Sequence, residues 1–214
     1  MDHLLHISAS PRGSHSESLA LAGEFVAELL DRRPDLRVET WDLWDGTLPA
    51  FGPDAAGAKM AVFAGQTPVD AQAEAWNAAR EAFERFDAAD TYLFSVPMWN
   101  HGVPYILKQF IDVVSQPGMM FGFDPVDGYS GLLHGKRAFV VYTGAVYGAG
   151  RPPSFGFDFQ KPYFEGWLRW AGIDDVVSVE FRPNLATDRA EELREQARAQ
   201  VREAAAAVGR RTAA

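Results

Sequence analysis

Apolar positions along this chain follow two alternating patterns. Short apolar runs suited to β-strands are separated by longer stretches in which apolar residues recur every three or four positions. Leu4–Ser8 is the first run. From Ser16 onward Leu19, Leu21, Ala22, Phe25, Val26, Leu29 and Leu30 keep helical spacing. That helix is expected to stop before Pro34, because proline disfavours helix in the residue preceding it. Arg37–Leu43 alternates as a second strand. Residues 44–69 form an excursion broken by Gly46, Pro49, Gly52, Pro53 and Pro68, with one short helix around Ala55–Phe63. A helix over Asp70–Phe86, an apolar strand over Thr91–Val96, a loop Pro97–Pro104 and a helix over Tyr105–Ser115 follow, with Pro104 suited to a first helical turn. A Gly-rich turn, Gly131–Gly135, precedes a fourth strand, Arg137–Thr143. Gly144–Phe159 is a long loop rich in Gly, Pro and aromatics. Helix over Gln160–Ala171, a fifth strand over Val176–Phe181 and a charged, alanine-rich helix over Asp188–Val208 close the chain.

Five strands alternating with helices predict an α/β fold, a parallel sheet with helices on both faces. Right-handed crossovers leave few topologies, and the strand order 2-1-3-4-5 suits five strands best. No internal repeat or dividing linker is visible, so residues 1–214 are expected to form one domain. With 47% hydrophobic and 23% charged residues the chain reads as soluble and globular rather than disordered. The absence of cysteine excludes disulfides, a thiolate nucleophile, a Cys-ligated zinc site and an iron–sulfur cluster. The opening Met1-Asp2-His3-Leu4-Leu5-His6 lacks a leader pattern, and no run reaches the roughly 18 apolar residues of a membrane span, so the expected location is cytoplasmic. A net charge of −9 argues against nonspecific nucleic-acid binding and chiefly serves solubility.

In an open parallel sheet ligands collect beyond the carboxyl ends of the strands, where the strand order reverses. Three loops lie there, and all three are unusual in composition. Ser8–Ser18 carries five serines in eleven residues and opens into a helix. It matches neither a dinucleotide nor a P-loop pattern. A helix N-terminus offers free N–H groups to an anion, hydroxyls add donors, and Arg12 could add charge. Ordinary capping by Ser16 would account for part of the same pattern. Pro97–Pro104 delivers Met98, Trp99, Asn100, His101 and Gly102 to the sheet edge, where they could face a planar heterocycle or simply cap the core. Thr143–Gly150 is glycine-rich, which permits close backbone approach. The histidines suggest no metal site: His3 and His6 flank the first strand, His15 lies beside the serine loop and His134 sits in a turn.

Pro97-Met98-Trp99-Asn100 followed by Leu107-Lys108-Gln109-Phe110-Ile111-Asp112 is similar to the P-M-[YW]-N loop and L-K-x-[YF]-[IF]-D helix of the flavodoxin-like FMN-dependent NADH azoreductase and NAD(P)H quinone reductase family. Gly118-Met119-Met120-Phe121 and Gly131-Leu132-Leu133-His134-Gly135-Lys136-Arg137-Ala138 resemble further segments of it, and Ser10 with Ser16–Ser18 matches the spacing of its phosphate loop. The resemblance implies a homodimer with one FMN per subunit, fed by NADH or NADPH. It implies that Ser10, Ser16, Glu17 and Ser18 hold the phosphate. Met98, Trp99, Asn100 and His101 would bracket the isoalloxazine, and Thr143, Gly144, Ala145 and Val146 would lie along its pyrimidine edge. Phe121, Phe123 and Tyr147 would line the substrate pocket. The implied activity is two-electron, ping-pong reduction of quinones or azo compounds, with no obligate catalytic side chain and His101 as the candidate for polarising an acceptor oxygen.

This sequence departs from the family at three places. Thr143-Gly144-Ala145-Val146 stands where a Ser-Arg-Gly-Gly segment is common, Phe123 where a tyrosine is common, and His101 where a phenylalanine is frequent. Two alternatives of other classes remain at this level: a flavodoxin-type electron carrier, and a phosphodiesterase- or esterase-type hydrolase using a serine with His101 or His15. No G-x-S-x-G elbow supports the hydrolase. Arg32, Arg33 and Arg151 could each meet a 2′-phosphate, and each also suits a plain surface role.

Overall fold

The computed structural model describes residues 3–211; Met1 and Asp2, part of the stretch scanned for a leader, lie outside them. Five parallel strands form the central sheet: β1 (His3–Ser8), β2 (Arg37–Asp42), β3 (Thr91–Pro97), β6 (Arg137–Thr143) and β7 (Asp175–Phe181). Their spatial order is β2-β1-β3-β6-β7, the expected permutation. The remaining two strands, β4 (Phe121–Asp124) and β5 (Gly128–Gly131), pair antiparallel as a separate ribbon that the periodicity did not announce. The helices are α1 (Glu17–Arg32), α2 (Pro53–Phe63), α3 (Asp70–Asp87), α4 (Tyr105–Val114), α5 (Lys161–Trp170) and α6 (Ala190–Arg211). His3 and His6 both lie inside β1 rather than flanking it.

Residues alternate between the two faces of each strand, so each strand feeds two cores. Leu5 and Ile7 of β1 and Tyr92, Phe94 and Val96 of β3 pack with α3, α4 and α5 in an aromatic-rich core around Phe86, Phe110, Phe164 and Trp167. Leu4, Leu93, Phe139, Val141, Val179 and Phe181 face the other way, against Leu21, Phe25 and Leu29 of α1 and Ala197, Val201 and Ala205 of α6. Truncating a buried ring such as Phe94 would cost about 3–5 kcal/mol. The α1–α6 pair is also joined by Glu17–Arg194 and Glu24–Arg198 ion pairs. Each of these is exposed enough to add no more than about 1 kcal/mol.

The β4–β5 ribbon is anchored at its base. Phe121 is buried against Trp170, with ring centroids 4.7 Å apart, while Phe123 and Tyr129 further along are exposed. Among the described residues, no helix is long and apolar enough to cross a membrane.

Candidate active site

The strands end together: Ser8 pairs with Asp42 and Ser95, and Pro97 pairs with Thr143, which pairs with Phe181. Strand order reverses between β1 and β3, so the loops after β1, β3 and β6 open on one crevice.

After β1 the chain makes a short 3-10 turn at Gly13–His15, then enters α1 with Ser16 as its N-cap. Ser16 Oγ accepts the Leu19 N–H at 3.3 Å, so the capping role is real. It also lies 3.1 Å from Ser18 Oγ. Ser10 and Ser16 are nearly buried and Ser18 is wholly so. Ser18 therefore stands behind Ser16, with no accessible surface of its own to offer a ligand. Glu17 pairs its carboxylate with Arg194 at 2.9 Å, which leaves only its backbone to face an anion. Arg12 and His15 are exposed beside the turn.

After β3 the chain reverses in two residues. Trp99 and Gly102 exchange N–H···O bonds of 2.9 Å each, while Asn100 (φ 46°) and His101 (φ 71°) both adopt the left-handed region. Two consecutive non-glycine residues at positive φ store strain, and such strain clusters at functional loops. Trp99 packs on Trp44 at 5.7 Å and Tyr105 at 6.1 Å, and Trp44 Nε1 donates to the Ala9 carbonyl at 3.1 Å. This aromatic wall ties the β3 loop to the serine loop.

After β6, Thr143 is still the last strand residue, and its carbonyl accepts the Met98 N–H at 2.7 Å. The carbonyls of Gly144 and Ala145 accept N–H groups from Asn184, Leu185 and Ala186. No acceptor among the described residues takes the N–H of Asn100, His101, Ala145 or Val146. These four donors border a cleft of about 290 Å³ lined by Met98, Asn100, His101, Ala145, Val146, Tyr147, Ser154, Phe155 and Gly156.

His101 joins the two sides of this cleft. Its Nδ1 accepts the Phe157 N–H at 3.1 Å and its carbonyl accepts the Phe159 N–H at 2.9 Å. A ring nitrogen that accepts an N–H carries no proton, so the neutral ring holds its hydrogen on Nε2. Further back, Arg182 is almost fully buried. It pairs with Asp158 at 3.0 Å and with Glu180, donates to Gln160 Oε1 at 3.1 Å, and lies 5.1 Å from the Tyr147 ring. Gln160 in turn donates to the Val96 carbonyl at 2.9 Å. Hydrogen bonds from Lys161 and Arg182 hold the Glu180 carboxyl below its ordinary range, against the opposing effect of its own burial.

Of the expected pocket residues, only Tyr147 lines the cleft. Phe121 is a correction: at the base of the ribbon it is covered by Trp170, Phe63 and Tyr129 and belongs to the core. Phe123 is exposed on the ribbon and packs against Tyr129 at 5.0 Å. Sequence reasoning missed Arg182 and Ser95; the one signal for Ser95 was a hydroxyl interrupting an otherwise apolar strand. A larger groove, about 390 Å³, lies between β7 and α6. It is lined by Arg137 and Asp175 at the amino ends of their strands, the edge opposite the crevice. No group of three or more metal-ligating side chains occurs among the described residues.

The sequence matches the profile of the flavodoxin-like fold family over residues 2–205. It is 47% identical over 188 residues to the FMN-dependent NADH:quinone oxidoreductase of Ruegeria pomeroyi, covering 88% of this chain and 92% of that protein. It is 42% identical over 191 residues to the protein of the same name from Desulfotalea psychrophila, covering 89% of each. Among solved structures, an azoreductase from Bacillus anthracis superposes with a TM-score of 0.87 at 23% identity, covering 96% of this chain and 99% of that one. An FMN-dependent NADH-azoreductase from the same species, in complex with FMN, superposes with a TM-score of 0.85 at 21% identity, covering 98% of this chain and all of that one. At those identities the structural likeness is one of fold.

Proposed function

The chain belongs to the flavodoxin-like family of FMN-dependent NADH:quinone oxidoreductases, and from that premise we propose an FMN-dependent NAD(P)H oxidoreductase that reduces quinones or azo compounds. The observation that carries this reading is the convergence of unspent donors on one crevice. The helix N-terminus and serine hydroxyls lie at one end, and four free backbone N–H groups line a cleft at the other.

That donor set fits FMN, which presents a phosphate at one end and a ring edge of carbonyls and nitrogens at the other. Ser10, Ser16 and the first-turn N–H groups of α1, that of Glu17 among them, would hold the phosphate. Ser18 would support Ser16 from behind. The N–H groups of Asn100, His101, Ala145 and Val146 would bond the ring edge, with Met98 and Trp99 beside it. Thr143 and Gly144 would let the backbone close in. When bound, FMN supplies two-electron carriage between NADH or NADPH and the acceptor.

The remaining tasks fall to the chain. Tyr147 and Phe155 wall the cleft with apolar surface, which suits a planar acceptor. His101 presents Nε2–H as a neutral donor for an acceptor oxygen, while its other nitrogen holds the 144–160 loop in place. Working as a cytoplasmic homodimer of single-domain subunits is part of the same proposal. NADH and NADPH are intracellular reductants, and the exposed Tyr105, Phe123, Tyr129 and Phe159 are the kind of surface that subunit pairing covers. An electron carrier would leave its ring edge open, whereas here His101 ties a long loop beside the cleft. The hydrolase alternative lacks a nucleophile: the Ser–His hydrogen bond in the described residues is Ser95–His6, buried in the sheet.

The test is the visible absorption spectrum of purified protein before and after anaerobic NADH. A flavin spectrum that bleaches directly to the two-electron reduced form is expected. Colourless protein that takes up no added FMN would overturn the reading, and a bound flavin that neither NADH nor NADPH reduces would return it to a carrier.

A further inference from the structure

Burying a histidine in a strand costs free energy unless its ring nitrogens are bonded. His6 sits in the middle of β1 at 9% exposure, on the face it shares with Leu4 and Leu93. Its Nε2 lies 2.7 Å from Ser95 Oγ on the neighbouring strand β3. Ser95 Oγ also donates to the Ser18 carbonyl at 3.3 Å. A hydroxyl has a single proton. For both contacts to be hydrogen bonds, Ser95 must give its proton to Ser18 and receive one from His6, so His6 carries its hydrogen on Nε2.

The chain of contacts runs on to the crevice. Ser18 belongs to the first turn of α1, and its Oγ meets Ser16 Oγ at 3.1 Å. Ser16 Oγ already accepts the Leu19 N–H. Either hydroxyl could donate in that pair, but the buried Ser18 hydroxyl has no other acceptor among the described residues, so its proton is satisfied only by going to Ser16, and both lone pairs of Ser16 are then used. Its own proton is then left to point outward, which is what an anion requires.

We propose that His6 and Ser95 are positioning residues that set the anion-binding end of the site, pinning the Ser18 peptide so that the Ser16 hydroxyl is presented as a donor. This rests on the reading of the serine loop as the phosphate site. Neither residue touches the ligand. The coupling is mechanical, through the first turn of α1, and it acts on the phosphate while leaving the ring contacts alone.

The experiment compares two flavins that differ by the phosphate. Holoprotein reconstituted with FMN or with riboflavin is diluted serially, and flavin release is followed by recovered fluorescence. His6→Leu and Ser95→Ala are each expected to weaken FMN retention by about tenfold, the worth of one buried hydrogen bond, with riboflavin retention changed less than twofold. His6→Gln, whose amide can donate from a similar place, is expected to recover FMN retention to within about threefold of the parent. The double variant should lose no more than either single one, because both break one chain. Should His6→Leu fail to fold, Ser95→Ala and His6→Gln carry the test. Equal losses for both flavins, or undiminished FMN retention in folded variants, would overturn the proposal alone. A parent protein that holds riboflavin as firmly as FMN would overturn it together with the phosphate-loop reading.

Discussion

The two ends of the crevice are built by different means. At the serine loop the groups proposed for the phosphate are buried, and they are held by hydrogen bonds to the two central strands and by the cap of α1. At the cleft the groups proposed for the ring are exposed backbone donors, and they are held by loops gripping other loops: His101 to residues 157 and 159, Arg182 to Asp158 and Gln160. The first construction is tied to the core and changes only with the core. The second can be re-cut by one or two substitutions in the loops. This division suits an enzyme that must keep one cofactor while its acceptor varies.

The largest effect should come from the cleft side, at its one deeply buried charge. Arg182→Met preserves length but leaves Asp158 and Glu180 without their cation, and Gln160 without a donor. Removing one partner of a buried ion pair costs about 3–5 kcal/mol. Because Glu180 is a third exposed, the lower end, about 3 kcal/mol, is expected in urea denaturation. The ratio of FMN to riboflavin retention should not move. A stability loss below about 1 kcal/mol would mean that the 144–160 loop is held by something other than Arg182.

The serine-loop side is expected to show itself in pH. Burial pushes the His6 imidazole from its ordinary 6.5 down to about 4, with the Asp42 carboxylate opposing in part. Between those two values the unfolded chain binds a proton that the folded chain refuses. Stability from this group is therefore complete above pH 6.5, falls as pH drops through the window, and falls no further below about 4. The total is about 3 kcal/mol at most. Denaturation of wild type and His6→Gln at a series of pH values should diverge within that window only. Parallel curves would show that His6 takes up its proton in the folded protein as it does in the unfolded chain, so that it is solvated there.

Much of this organisation was legible in the sequence, for physical reasons. The inner strands of the parallel sheet announced themselves because strands buried on both faces must be apolar throughout, as Tyr92–Val96 largely is, while the edge strand Arg37–Asp42 showed only by alternation. The three ligand loops stood out because helix entry, tight reversal and close approach each demand particular residues. The β4–β5 ribbon did not stand out. Phe121 and Phe123 alternate with a glycine rather than a polar residue, and only the turn signals Asp124-Pro125 and Asp127-Gly128 marked the connection. Phe121 and Phe123 lie two residues apart, and nothing in the sequence says that only the first is covered. His6, Ser95 and Arg182 were opaque for another reason. His6 and Ser95 meet partners 89 and 77 residues away, and Arg182 meets Gln160 and Asp158 across 22 and 24, so the residues around each in the chain do not reveal the contact.

A smaller change tests whether loop contacts alone hold the cleft. Gly156 has φ 102°, and a Cβ there would come within 2.7 Å of the His101 ring. Gly156→Ala is therefore expected to cost about 1–3 kcal/mol of local strain. It should also displace His101, seen as a severalfold rise in acceptor KM with FMN retention unchanged. Unchanged kinetics would mean that His101 does not meet the acceptor.

The smallest effect is expected at Asn100, and it bears on whether backbone or side chains serve the ring. Asn100→Gly keeps the two-residue reversal, because glycine takes positive φ without strain and the Trp99–Gly102 bonds do not involve the side chain. Asparagine already tolerates this region, so the relief is small, and the greater freedom of glycine in the unfolded chain offsets part of it. The net change should stay within about 0.5 kcal/mol, roughly 2 °C in Tm for a chain of this size. Turnover should then hold within about twofold of the parent, since the N–H offered to the ring is still present. A tenfold fall in kcat from a substitution this neutral in stability would move the working group from the backbone to the carboxamide, and the cleft side would then depend on its side chains as the serine loop does.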